Sequence, residues 1–320
     1  MTTEDRDHGP AFADPEVYRQ QAGFDGDWRD TWWRTDFLRF VLDRWGASSA
    51  TSMLDVGCGA GHWGRGLLRA LPECQRLAGI DIEPSFAELA SERAAAVGIG
   101  DRCEYRQGRA EAIPWPDDSF DIVTCQTVLI HVPDVPVALA EMLRVLRPGG
   151  FLIAAEPDNL ASSLSILNLH PRPSAEQTMA ILQLQMTCEA GKVALGEGDS
   201  SIGGRLPGLF REAGLEAVEV SMNESCAVLY PPYRRGIQPI QLAAELSFAR
   251  AGAALFTGGR PDSLRWFRAG GGDDAGFAAL WAHVEAYLRD FQAQVAAGEL
   301  HGARGHTFYL IGGRKTLAPG

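Results

Sequence analysis

Between residues 52 and 156 short β-branched runs alternate with helical patterns, and no other feature restricts the fold so strongly. Ser52–Gly57 (SMLDVG), Arg76–Ile82 (RLAGIDI), Arg102–Gln107 (RCEYRQ), Phe120–Cys125 (FDIVTC) and Phe151–Glu156 (FLIAAE) read as strands. His62–Leu71, Pro84–Val97 and Val135–Leu146 read as the helices between them, the last stopped by Arg147-Pro148-Gly149-Gly150. Successive strands joined through helices must run parallel, and their helices must cover both faces of the sheet. The expected class is α/β, a Rossmann-like mostly parallel sheet. Such sheets bind ligands at the carboxyl ends of their strands.

After Glu156 the alternation breaks. Ala175–Glu189 and Leu206–Ala213 read as helices, the second ended by Gly214, and Leu215–Asn223 reads as a strand. Residues 230–300 are strand-poor, with helices expected at Gln238–Ala254 and Gly276–Ala297 and loops at GGRPDS and AGGGDD. His306–Gly312 (HTFYLIG) is a final strand. At the other end, residues 1–14 read as disordered, and Asp14–Trp45 is aromatic-rich and helical in pattern.

Charge and composition exclude several classes. The 320 residues carry a net charge of -12, against the basic face that phosphate binding needs, so no nucleic-acid partner is expected. The acidic balance favours neutral or cationic substrates. No apolar run is long enough to cross a bilayer, and the start, MTTEDRDHGP, is polar and acidic rather than a signal peptide. The expected location is cytoplasmic, with no membrane partner. The six cysteines form no C-x-x-C pair, so buried thiols are expected and no metal site.

The first strand runs into Leu54-Asp55-Val56-Gly57-Cys58-Gly59-Ala60-Gly61, which then opens a helix. Glycines let a backbone turn tightly and approach a ligand with no Cβ in the way, and the helix start offers free N–H groups. Asp81 ends the second strand, where a carboxylate can accept from both hydroxyls of a ribose. Residues 59–64 also satisfy G-x-G-x-x-G, so a dinucleotide reading competes. Asp55, two residues before Gly57, would repel a pyrophosphate but suits a ligand with ammonium and sulfonium centres.

Taken together, LDVGCGAG (54–61), the acid of GIDIEP (79–84), AEAIPWPDDSFDIV (110–123), VLIHVPD (128–134) and LRVLRPGGFLIAAEP (143–157) resemble the class I S-adenosylmethionine (SAM)-dependent methyltransferases. The resemblance is closest to the small-molecule, ubiquinone/menaquinone-biosynthesis-like branch, and covers about a third of the chain. It implies SAM as cofactor and a seven-stranded sheet with His306–Gly312 as its antiparallel member. It implies that Asp55, Gly57, Cys58 (through its backbone), Gly59 and Gly61 surround the methionine part of SAM. Asp81 would hold the ribose, Ile82 would lie on adenine, and Gly108, Arg109, Ala110 and Glu111 would line the adenine edge. Arg109 stands where that family usually has an acid, which leaves the Ala110 N–H for the adenine amino group. Gln126 and Thr127 would approach the amino group and the transferred methyl. Arg34, with Tyr18 and Trp33, either closes over the SAM carboxylate or belongs to a segment that only packs on the sheet.

The implied organisation is an N-terminal helical segment covering the cofactor site (1–50), a SAM-binding core (51–157), a substrate-side insertion with the sixth strand (158–229), a helical cap (230–305) and a final antiparallel strand and tail (306–320). Methyl transfer from a sulfonium is an in-line displacement, so the protein supplies orientation and, for a hydroxyl or acidic carbon, a base. His131, one turn past the fourth strand, is the first candidate base, the alternative being a bond to backbone or SAM. His170, in NLHPRP, is the second. Glu156 and Asp158 end the fifth strand, where either meets substrate; Tyr230, Tyr233, Trp266, Phe267 and Trp281 line a pocket or fill a core. The two insertions favour an enclosed small-molecule acceptor. A peptide or protein methyltransferase, a SAM-binding protein without turnover and a nicotinamide-dependent oxidoreductase are the alternatives.

Overall fold

In a computed structural model, residues 27–224, 226–252 and 258–317 are described. The readings for residues 1–26, Tyr18 among them, and for Ala253 and Ala254 lie outside these. The strands are β1 (Ser52–Val56), β2 (Arg76–Asp81), β3 (Cys103–Gln107), β4 (Phe120–Gln126), β5 (Leu146–Pro157), β6 (Leu215–Met222), β7 (Cys226–Leu229), β8 (Gly302–Gly305) and β9 (Phe308–Lys315). Seven of them form one sheet in the order β3-β2-β1-β4-β5-β9-β6. The first five run parallel, and β9 pairs antiparallel with both β5 and β6.

The sequence dictates this centre directly. All five residues of β1 are buried, as a strand covered on both faces requires. Around the sheet lie α1 (Thr35–Trp45), α2 (His62–Ala70), α3 (Pro84–Ala96), α4 (Val135–Val145) and α7 (Leu206–Glu212). One apolar layer joins Leu38, Trp45, Trp63 and Leu67 to Met53, Ile122 and Ile153. The opposite layer joins Leu139, Met142, Leu206 and Phe210 to Leu54, Val123 and Leu152. The two clusters are the two faces of one sheet.

The chain between β5 and β9 departs from the expectations in several places. A further helix, α5 (Asn159–Leu167), starts directly after β5, with Asp158 as its N-cap accepting from the Ala161 N–H at 3.0 Å. α6 (Ala175–Ala194) runs past the expected end at Glu189. The cap contains α8 (Gln238–Arg250), α9 (Arg260–Ala269) and α10 (Asp274–Ala297). α9 occupies residues read as a loop, because Pro261 sits in the first helical turn, where its missing N–H costs nothing. β7 and β8 pair antiparallel as a separate two-stranded sheet at the two ends of the cap, which the sequence did not signal. Trp266, Phe267, Phe277 and Trp281 are buried together in a core shared with Ile181, Leu184 and Cys188 of α6, so the pocket-lining reading of Trp266, Phe267 and Trp281 is corrected.

Candidate active site

The turn after β1 is built for close approach. Gly57 has φ +66° and Gly59 φ +49°, left-handed values that disfavour a side chain. A Cβ on Gly57 would lie 2.4 Å from Val128 Cγ2, so this glycine is required by packing. A Cβ on Gly59 would meet nothing within 4 Å among the described residues, so this glycine is open on their side. Its N–H donates to Asp81 Oδ2 at 2.8 Å, and Asp81 Oδ1 accepts from the Glu83 N–H at 3.0 Å. The neighbouring Cys58 N–H donates to Ile80 O at 2.8 Å, and its buried thiol is pushed well up by desolvation. Asp81 thus braces the glycine turn, and its remaining lone pairs are available to hydroxyl donors. Burial raises its carboxyl despite these bonds.

Asp55 lies on the face toward α2, where its Oδ2 accepts from the Gly64 N–H at 2.9 Å. Its other oxygen is buried with no partner among the described residues. Desolvation pushes its carboxyl up to about 8. A buried carboxyl oxygen lacking a partner, on the strand that runs into the glycine turn, fits the amino end of a methionine moiety.

On the other side of Asp81, the parallel pairing of Asp81 with Gln107 sets the adenine-edge candidates beside the end of β2. Ile82 is half-buried, and its carbonyl accepts from Gln107 Nε2 at 3.1 Å. The Gly108 N–H donates to Asp81 O at 2.9 Å. Arg109 and Ala112 form a β-bridge, Ala110 packs on the core, and Arg109 turns outward with its Nε 3.8 Å from Glu111. The acid absent at 109 is therefore present two residues on, already engaged by the arginine.

Beyond β4, Gln126 is half-buried and Thr127 has φ +55°, an uncommon and strained conformation for a β-branched residue. The Thr127 N–H is held by Ala155 O at 3.0 Å. Glu156 was expected to meet substrate. It is instead fully buried, with Oε1 accepting from the Val128 and Leu129 N–H groups at 2.9 and 3.0 Å. Burial pushes it up to about 7. Asp158 is likewise taken by the α5 cap.

His131 follows in a short 3-10 turn, Leu129–His131, its N–H donating to Val128 O at 2.9 Å. The residue is exposed, although protein crowds around its imidazole. Desolvation first, then the charges of Lys192 and Arg29, push it down to about 3. His170 does not join it. That residue exchanges two 2.9 Å backbone bonds with His301 and packs ring on ring at 4.5 Å. It tethers the cap's return to the α5–α6 connection.

Arg34 is also placed differently from one of its two expected roles. Its side chain is exposed and bonded to Asp36 at 2.7 Å, rather than turned onto the cofactor end. Trp33 packs on Trp63 of α2 and on Phe308, the packing alternative. The segment is anchored by Asp30. Arg93 can only donate, so His62 Nε2 accepts from it at 2.9 Å and the imidazole proton sits on Nδ1, 3.1 Å from Asp30 Oδ1. Burial pushes His62 down while the same contact lowers Asp30, so near neutral pH this is a bond from neutral imidazole to carboxylate.

The sequence reading missed a buried polar row on α6. Gln185, Glu189 and Lys192 are all buried. Gln185 bonds Ser163 of α5, and Lys192 bonds Ser200 while lying 5.4 Å over the Trp266 ring. The row meets the His131 turn through Gly198, whose Cβ would fall 2.2 Å from Ile130 O. The spacing 185, 189, 192 was visible, but with the helix ended at Glu189 the row was incomplete. Among the described residues no cluster of metal-ligating side chains occurs, and no helix is long and apolar enough to cross a membrane.

Residues 54–154 match a methyltransferase domain family. Over 118 residues, 37% of this chain and 47% of the relative, the sequence is 37% identical to a ubiquinone/menaquinone biosynthesis C-methyltransferase of Hahella chejuensis. It is 37% identical over 116 residues to a demethylmenaquinone methyltransferase of Staphylococcus aureus, covering 36% of this chain and 47% of that one. The chain thus spans about half the length of the curated relatives it matches. Among solved structures, a phosphoethanolamine N-methyltransferase of Haemonchus contortus with SAM aligns over 94% of this chain and 59% of its own, at 16% identity and TM-score 0.48. A Bacillus subtilis protein aligns over 89% and 100%, at 20% identity and TM-score 0.47. At that level neither structural likeness bears on function. The matched core, carrying the glycine turn and Asp81, is similar to class I SAM-dependent methyltransferase domains, a class of enzymes whose cofactor is SAM.

Proposed function

We propose that this protein transfers a methyl group from SAM to a small-molecule acceptor held between the carboxyl ends of β1 and β4 and the inserted helices. The observation that carries the reading is the open face of Gly59, braced by Asp81 at 2.8 Å. Gly57, Gly59 and Gly61 would take the methionine part with Asp55, Asp81 the ribose, and Ile82 with Gly108–Glu111 the adenine, while Gln126 and Thr127 border the transferred group. Bound there, SAM supplies an already activated methyl group.

The chain's own contribution is orientation, exclusion of water and proton handling. His131, neutral throughout the physiological range, accepts a hydrogen bond from an acceptor hydroxyl or acidic carbon, and takes its proton as the new bond forms. Lys192 and Arg29 put positive charge near that corner, which favours an acceptor that becomes anionic as it loses its proton. This local charge runs against the preference for cationic substrates that net charge alone suggests. The relatives are named for ubiquinone and menaquinone biosynthesis, but the family match ends at residue 154, before the inserted helices. Phenolic and quinol acceptors therefore belong in the first panel, without exhausting it.

The test is incubation of purified protein with methyl-labelled SAM and a panel of phenols, quinols, carboxylates, amines and peptides. Label in a small phenol or enol, lost in His131→Ala, is the expected result. Label only in peptides, or SAM binding without transfer to any acceptor class, would favour the competing readings.

A further inference from the structure

Glu156 is a carboxylate where the fold would accept an apolar side chain. It extends the β5 face that carries Leu152 and Ala154 into the sheet's apolar layer, and it is fully buried. Burying a carboxyl is costly unless hydrogen bonds compensate. Here Oε1 takes two N–H groups, of Val128 and Leu129, at 2.9 and 3.0 Å. Those N–H groups open the turn that leads to His131, which is also held by the Thr127 N–H bond to Ala155 O and by the buried Leu129 and Ile130.

The turn touches both halves of the site. Val128 is the side chain against Gly57, the glycine that admits no Cβ. Val128 O accepts from the His131 N–H at 2.9 Å. Thr127, one residue earlier, sits at φ +55° and is tied to β5 through Ala155 O. A strained residue persists only where its surroundings over-determine it. The two bonds to Glu156 on one side and the Ala155 bond on the other provide that determination.

We propose that Glu156 is a positioning residue: a buried bracket that fixes the 126–131 turn so that Val128 shapes the glycine turn and His131 faces the transferred group. Its consequence for cofactor rests on the methyltransferase reading above; the bracket itself does not.

The test uses the full chain in three variants. Glu156→Gln keeps an oxygen able to accept both N–H groups; Glu156→Leu keeps the volume and removes the acceptor; Glu156→Asp keeps the charge but is one methylene short. Amide hydrogen exchange at Val128 and Leu129 and titration with S-adenosylhomocysteine are read for each. In the Leu and Asp variants we expect exchange about tenfold faster at these two amides, and affinity about tenfold weaker. The Gln variant should stay within about threefold of wild type in both. If Leu fails to fold, Asp against Gln carries the comparison. Equal exchange in wild type, Asp and Gln, or full affinity in the Asp variant, would overturn the proposal. Wild type that binds no S-adenosylhomocysteine while exchange still separates Gln from Asp would leave the bracket standing and remove the methyltransferase reading.

Discussion

Replacing Gly59 with alanine separates the cost of backbone strain from the cost of blocking a ligand. At φ +49° an alanine pays the left-handed penalty, about 1–2 kcal/mol, part of which the stiffer unfolded chain offsets. No atom of the described residues lies within 4 Å of the added methyl, so they add no packing penalty to this. The Gly59 N–H bond to Asp81 survives, because it is a backbone donor. For a chain of this size about 1 kcal/mol lowers the melting temperature by about 2–4 °C. A methyl in the space the cofactor needs should weaken binding at least tenfold, about 1.4 kcal/mol. Gly57→Ala is the contrast. There the strain adds to a clash with Val128 at 2.4 Å, and overpacking brings the loss to about 2–5 kcal/mol. Scanning calorimetry and SAM titration of both variants decide the matter. Gly59→Ala should lose affinity out of proportion to stability, whereas Gly57→Ala should lose both. If Gly59→Ala binds SAM as wild type does, the cofactor does not lie against that face, and the reading of the glycine turn is wrong.

Further outcomes follow from the buried acids and the histidine. Asp55 and Glu156 are raised to about 8 and about 7, so their protonated forms favour the fold fully below the ordinary carboxyl range, and that contribution is lost progressively as pH climbs from there, up to about 7 for Glu156 and about 8 for Asp55. Melting of the ligand-free protein should therefore fall over this range, and Asp55→Asn should flatten the part nearest pH 8; an unchanged slope in that variant would refute it. SAM affinity should rise over the same interval in wild type and not in Asp55→Asn, because an ammonium partner favours the ionised carboxylate. His131, pushed down to about 3, should add no inflection near pH 6.5 to the rate profile, while His131→Ala should slow transfer about 10²–10⁴-fold. A wild-type inflection near 6.5 that disappears on substituting His131 would contradict its placement.

The parallel core was legible because its signals are local and repeated. Buried strands read as continuous apolar runs, and Asp55, Gly57 and Asp81 fall at fixed places on a strand–turn–helix frame. What failed depended on packing across distant segments. Arg34 is the exception, its guanidinium held in solvent by Asp36 only two residues on. Glu156 could be placed at a strand end, but not on one face or the other, and that choice turns a substrate contact into a bracket. The aromatics of 266–281 fit a pocket or a core equally by spacing, and only the meeting of α6, α9 and α10 decides for core. The β7–β8 pair escaped because four-residue strands separated by some seventy residues leave no local pattern.

The most direct test of the account is calorimetric titration of the purified protein with SAM and with S-adenosylhomocysteine, on wild type and on Asp81→Ala. Asp81 braces Gly59 and Glu83 through its two oxygens, so its loss should disorder the turn and remove the ribose contact together. The account predicts micromolar binding to wild type that disappears in the variant. Binding of neither ligand to wild type, binding of a nicotinamide dinucleotide in their place, or undiminished affinity in Asp81→Ala would contradict it.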